Sequence, residues 1–160
     1  MSREIALFAG IVIIALMERL KHRFHVFALV ALPSTFFHEC MHFLVALASK
    51  GRPVAMSLIP HRTDDGYHLG HVQVSNITWY NAGLIGLAPL LLIPLAWWLL
   101  TQQMPRRPAF WPGLIWGYLL ASMVYGSLPS GSDLRIAWRA PLATLGILAL
   151  IPLALFVWRR

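Results

Sequence analysis

Charged side chains are sparse along this chain and fall between long apolar runs. The runs at 5–17, 24–49, 79–100, 110–127 and 140–158 carry no charge except Glu39 in the second. A helix that crosses a bilayer needs about 20 apolar residues. The run 5–17 is short of that length, and snorkelling Arg3, Arg19 and Lys21 can extend it, so it reads as a short span or an interfacial helix. The other four read as membrane helices. Pro89, Pro94 and Pro152 fall inside runs, where neighbouring helices can satisfy the freed backbone groups. Pro33, about one turn before His38, predicts a kink in the second run.

Between 50 and 78 the pattern changes to that of a small β-hairpin. Residues 54–59 read as one strand, and 67–74 as a second, interrupted at Gly70. Asp65-Gly66 between them is a tight-turn signal. An open sheet edge is not stable against lipid, so the hairpin (52–78) belongs at the membrane edge. The expected fold is an α-helical polytopic membrane protein, a single domain over 1–160. It has about five membrane helices and a small β-hairpin between the second and third.

Composition agrees with this pattern. The chain is 58% hydrophobic and 12% charged, against about 25% charged in a typical soluble domain. Seven Trp and four Tyr suit interfacial anchoring. The net charge of +7 does not mark a nucleic-acid partner, because the basic residues flank apolar runs and form no stripe interleaved with aromatics. They read as anchors to anionic headgroups of a lipid bilayer. Lys and Arg divide almost evenly between the two sides, so the positive-inside rule gives no orientation. The lone Cys40 excludes an intrachain disulfide. The run 5–17 ends in Glu18-Arg19 rather than at a small-residue cleavage site, which argues against a signal peptide.

The chemistry lies in the second run, where His38-Glu39-Cys40-Met41-His42 has the form H-E-x-x-H. On a helix, residues four apart share a face, so both histidines can point at one metal ion while Glu39 reaches a water on it. A carboxylate near a bilayer centre costs about 2.5–3.5 kcal/mol and is a functional candidate by default. The reading is a zinc protease with its active site inside the membrane. Catalytic zinc usually takes three protein ligands. No Glu follows Glu39, and the third-ligand positions of a metzincin are Val45 and Ala48, so neither soluble class fits. Downstream of His71 the only acidic or His residue is Asp133, which stands either as a ligand or as a helix-capping carboxylate in 127–135, with Ser132 as the other candidate cap. Span counting puts His38, His42, the hairpin, Asn81 and Asp133 on one membrane face.

With these residues the chain resembles the site-2 protease family of intramembrane zinc metalloproteases, over about residues 24–139, the catalytic core. The resemblance rests on His38-Glu39-Cys40-Met41-His42, on the stretch from Asn81 to Pro89, and on the late Asp133. Pro129-Ser130-Gly131-Ser132-Asp133 lacks the Asn and the following Gly of the family's Asp motif. The resemblance implies one Zn2+ per chain bound by His38, His42 and Asp133, with Glu39 activating water, and a transmembrane protein as substrate. There is no room for a regulatory domain, which leaves regulation to a membrane partner. The compact build points to a bacterial inner membrane. Asn81 is a candidate donor to the oxyanion or substrate backbone, or else a helix cap. A hairpin edge strand can add an extended substrate by β-augmentation. His68 and His71 are accessory-ligand candidates or, with His61, interfacial histidines. Cys40 reads as packing, and Gly83 and Gly86 as sites of close helix approach.

Two rivals differ in chemistry. A catalytically inactive metal-binding membrane scaffold would not need Glu39. A membrane di-iron oxidase needs about eight histidines with His-His boxes, and this chain has seven and no such pair.

Overall fold

The computed structural model describes residues 3–63, 66–141 and 144–146, and shows a mostly helical chain with small antiparallel ladders. The first helix, α1 (Arg3–Leu20), covers the short run and its basic flanks. The second run is broken into α2 (Phe24–Val30) and α3 (Leu32–Ala48), bent by 63°. Pro33 explains the break. It has no N–H for the Leu29 carbonyl, and its ring disfavours a continuous helix through the preceding turn. The Tyr118 hydroxyl donates to the Val30 carbonyl at 2.6 Å, which satisfies a second backbone acceptor at the bend.

The third run is divided further, into α4 (Ala82–Gly86), a 3-10 turn (Ala88–Leu91), α5 (Leu92–Trp98) and a π turn (Leu99–Gln103). The fourth run is the unbroken α6 (Phe110–Gly126), followed by the short α7 (Gly131–Ala137). Most of the fifth run lies outside the described residues. Among the described residues no single helix is long and apolar enough to cross a membrane; α2 and α3 meet that test only as a bent pair.

α1 and α6 are parallel neighbours. Arg3 donates to the carbonyls of Met104 and Pro105, just before α6 begins, and Lys21 sits over the Tyr125 ring at the other end. Small residues let the two backbones meet: a Cβ on Gly117 would lie 2.5 Å from the Ala6 carbonyl oxygen. Ala6, Leu92, Ala96, Met104, Leu120 and Met123 form one core, and Met17, Phe27 and Ala31 a second. Phe8, Ile11, Leu29, Trp97, Trp111 and Ile115 stand exposed on the outside.

The expected hairpin forms as two ladders rather than one. Strands β1 (Pro53–Ser57) and β4 (His71–Val74) pair antiparallel, with Ser57 opposite His71 and Met56 opposite Val72. Beyond a break at 58–60 and 69–70, β2 (His61–Thr63) pairs with β3 (Gly66–His68). The expected Asp65-Gly66 turn falls partly outside the described residues. Gly70 explains the break on its strand. A Cβ there would lie 2.9 Å from Glu39 Cγ, Ser57 O and Thr35 Cγ2, so the chain passes closely over α3.

Candidate metal centre

His38, Glu39 and His42 all lie on α3, and His38 and His42, one turn apart, turn the same ring atom inward. His38 Nδ1 is 2.8 Å from the Gly126 carbonyl oxygen, and His42 Nδ1 is 2.8 Å from that of Ile85. A carbonyl only accepts, so each Nδ1 carries the proton, and in the neutral rings each Nε2 is left with a bare lone pair. Backbone geometry explains why these two carbonyls are free. In a continuous helix the Ile85 carbonyl would accept from residue 89, but that residue is Pro89 and has no N–H. Gly126 is the last residue of α6, whose terminal carbonyls have no partner within the helix.

Asp133 meets these lone pairs from α7. Its Oδ1 is 3.1 Å from His42 Nε2 and its Oδ2 is 3.2 Å from His38 Nε2, while the two Nε2 atoms are 3.1 Å apart. Gly86 allows this approach. A Cβ there would overlap the Asp133 carbonyl oxygen and lie 2.8 Å from Ala137 N, so α7 rests directly on the backbone of α4. Asp133 also caps its helix. Its Oδ2 accepts from Ser130 N at 2.6 Å and its own N–H donates to Ser130 Oγ at 3.3 Å, a reciprocal capping box. The N-cap is therefore Ser130, not the expected Ser132 or Asp133, and Asp133 combines capping with its place in the cluster. The reason is that the hydroxyl three residues before Asp133 can reach its backbone N–H.

His38, His42 and Asp133 form a group able to hold a metal ion. The donor set fits that use: two imidazole lone pairs and a carboxylate face one another with no hydrogen between them if the rings are neutral. A cation at their centre turns that repulsion into attraction. Glu39 is buried beside them. The four residues line one open cavity of about 950 Å³. Leu69, Gly70, His71, Val72 and Val74 of the hairpin also line it, as do Glu18, Lys21 and Tyr125.

The remaining candidates are placed differently. Asn81 is fully buried at the start of α4, and its side chain makes no cap bond to that helix. Its Oδ1 accepts from Thr78 N at 2.7 Å, and its Nδ2 donates to Asn76 O at 3.0 Å and Ser49 O at 3.3 Å. Those bonds tie the end of α3 to the start of α4 and use both amide hydrogens, and Asn81 does not line the cavity. His71 lines the cavity but is not one of the three clustered ligands. The side chains of His61 and His68 lie outside the described residues. His22 and His25 are exposed at the α1–α2 turn. Cys40 is partly buried away from the cavity lining.

Sequence reasoning missed three backbone partners: the Ile85 and Gly126 carbonyls and the Gly70 crossing. Pro89, four residues beyond Ile85, was a readable signal for the first. No protein-family model, curated protein or solved structure matches this chain.

Proposed function

We propose that this chain is a multi-pass membrane protein that acts as an intramembrane zinc metalloendopeptidase of the site-2 protease type. It binds one Zn2+ through His38, His42 and Asp133, and cleaves peptide bonds in or near transmembrane segments. The observation that carries this reading is the meeting of His38 Nε2, His42 Nε2 and the Asp133 carboxylate, with both Nδ1 protons committed to backbone carbonyls. Tetrahedral zinc with bonds of about 2.0–2.1 Å has ligand atoms about 3.3 Å apart. The separations of 3.1 to 3.2 Å here are close to that spacing. Nitrogen and carboxylate donors also suit zinc. Support for the membrane setting comes from the exposed apolar side chains of α1, α2, α5 and α6, the exposed Trp97, Trp98 and Trp111, and the bent α2–α3 pair.

Zinc in such a site supplies Lewis-acid polarisation of the scissile carbonyl and acidifies water. Glu39, next to His38 on the same helix, takes the proton from the attacking water and returns it to the leaving amine. The hydrogen bonds from Nδ1 fix each imidazole's tautomer and ring orientation. A helical substrate hides its carbonyls in i→i−4 bonds and must unwind before attack. β4 pairs with β1 on one side only among the described residues, and His71, Val72 and Val74 line the cavity. An extended substrate segment can add along β4.

The test is metal content and cleavage in detergent, wild type beside Asp133→Ala. About one zinc per chain and chelator-sensitive cleavage of apolar peptides are expected for the wild type, with both lost in the variant. A zinc-loaded wild type that cleaves nothing would favour the metal-binding scaffold. Two irons per chain would favour the oxidase.

A further inference from the structure

Ser34 lies one helical turn before His38. Ser34, His38 and His42 therefore form one stripe along α3, and all three line the cavity. Helical side chains lean toward the N-terminus, which carries the His38 ring back over the turn that holds Ser34. Gly126 joins the two residues. Its carbonyl oxygen accepts from His38 Nδ1, and a Cβ on it would lie 3.0 Å from Ser34 Oγ. The residue that orients His38 thus also touches Ser34.

Ser34 is only 3% exposed, yet its hydroxyl makes no hydrogen bond among the described residues. The usual outlet for a helical serine is the carbonyl four residues back. Here that carbonyl belongs to Val30 at the α2–α3 bend, and the Tyr118 hydroxyl occupies it at 2.6 Å. Thr35, one place on, shows the ordinary case, with its hydroxyl on the Ala31 carbonyl at 3.2 Å. Nor is Ser34 Oγ sealed by packing. The side-chain oxygens both sealed and unpartnered among the described residues are those of Ser49, Thr78 and Ser122. In a residue this buried that lines the cavity, the open hydroxyl faces the cavity. Buried polar groups are normally satisfied, so a donor left open there points to a ligand.

We propose that the Ser34 hydroxyl donates a hydrogen bond to the substrate carbonyl oxygen as that oxygen gains negative charge in hydrolysis. The proposal rests on the protease reading and adds to it a catalytic residue. As the water oxygen bonds to the carbonyl carbon, the π electron pair moves to the carbonyl oxygen. Ser34 keeps its own proton and breaks no bond. Asn81 cannot take this part, because Asn76 and Ser49 hold its amide hydrogens. The other hydroxyls of the lining are engaged as well. Thr35 bonds Ala31, Ser130 and Ser132 pair at 2.7 Å, and Tyr125 bonds Glu18 and Lys21.

The test uses full-length, zinc-loaded protein in detergent, an apolar peptide substrate, and a phosphinic peptide whose tetrahedral, negatively charged centre mimics the transition state. Ser34→Ala removes the open hydroxyl, and Ser122→Ala removes a sealed one outside the cavity lining as a control. Zinc content is read on every protein. Loss of one oxyanion donor typically lowers kcat by about 10²- to 10³-fold. Ser34→Ala should show that fall at unchanged KM, and calorimetry should show phosphinic-peptide binding weakened by about 10-fold or more, with zinc retained. Ser122→Ala should match the wild type in both readouts. Wild-type kcat and phosphinic-peptide affinity in zinc-loaded Ser34→Ala, or a raised KM alone, would overturn the assignment and leave the protease reading standing. Loss of zinc in that variant would make the hydroxyl a support of the metal centre and also overturn it. A zinc-loaded wild type that neither cuts the peptide nor binds the phosphinic analogue would overturn both.

Discussion

His42 is held by the carbonyl of Ile85, 2.8 Å from its Nδ1. That carbonyl is available because the residue four places on is Pro89, which cannot donate to it. One missing N–H therefore orients one ring of the metal centre. In Pro89→Ala, residue 89 regains a donor that competes for the Ile85 carbonyl. Losing an outer hydrogen-bond partner of a ligating histidine typically costs 10- to 100-fold in metal affinity. Competition with a chromophoric chelator should show zinc weakened by about that factor, with Pro94→Ala, which frees no ring-holding carbonyl, unchanged. Equal affinities in the two variants would remove Ile85 from the account.

Asp133 serves the cap of α7 and the metal cluster with one carboxylate, and two substitutions separate the roles. Asp133→Asn keeps a side-chain oxygen for Ser130 N but gives up the charge. It should hold the melting temperature within a few degrees while losing most bound zinc. Ser130→Ala removes the hydroxyl that caps Asp133 N. It should cost about 1 kcal/mol of stability and keep one zinc at saturation. If both variants lose zinc equally, the cap rather than the carboxylate charge governs the site.

The same division between side chain and backbone accounts for what the sequence disclosed. The H-E-x-x-H spacing and the apolar runs are local, and the helices around His38–His42 and 110–126 follow from them. Asp133 was reachable as the last acidic residue of the chain. The segmentation of 79–100 was less legible. Pro89 and Pro94 read as residues tolerated within one span, yet how a chain continues past a proline depends on what receives its orphan carbonyls, here His42 on another helix. The split hairpin was hidden for a similar reason. Gly70 looked like an irregular strand residue, and only packing against Thr35 and Glu39 shows why no side chain fits. Asn81 carried the right chemistry for an oxyanion donor, but Asn76 and Ser49 take its hydrogens.

Two glycines near Asp133 should differ in their response to the same change. A Cβ on Gly86 would overlap the Asp133 carbonyl oxygen and crowd Ala137 N, both backbone atoms, so α7 must move. Gly86→Ala should destabilise by about 1–3 kcal/mol and weaken zinc, because the carboxylate is displaced with its helix. Gly131 has nothing within 4 Å of such a Cβ. Gly131→Ala should leave thermal stability and zinc titration as in the wild type. Tight zinc binding in Gly86→Ala would mean that the α4–α7 contact does not set the position of Asp133.

Glu39 supplies the cleanest separation of metal binding from catalysis. It is buried beside the cluster, and its oxygens are not among the three ligand groups. Glu39→Gln keeps the size of the side chain and removes the base. General acid–base groups contribute about 10²- to 10⁴-fold, so cleavage of an apolar peptide should fall by that much at unchanged zinc stoichiometry. The conservative alternative, Glu39→Asp, retains a carboxylate on a shorter stem and should recover part of the rate. Full activity in Glu39→Gln with zinc bound would remove Glu39 as the proton carrier and with it the proposed protease mechanism. Loss of zinc in that variant would instead make Glu39 part of the metal site, contrary to the three-ligand arrangement.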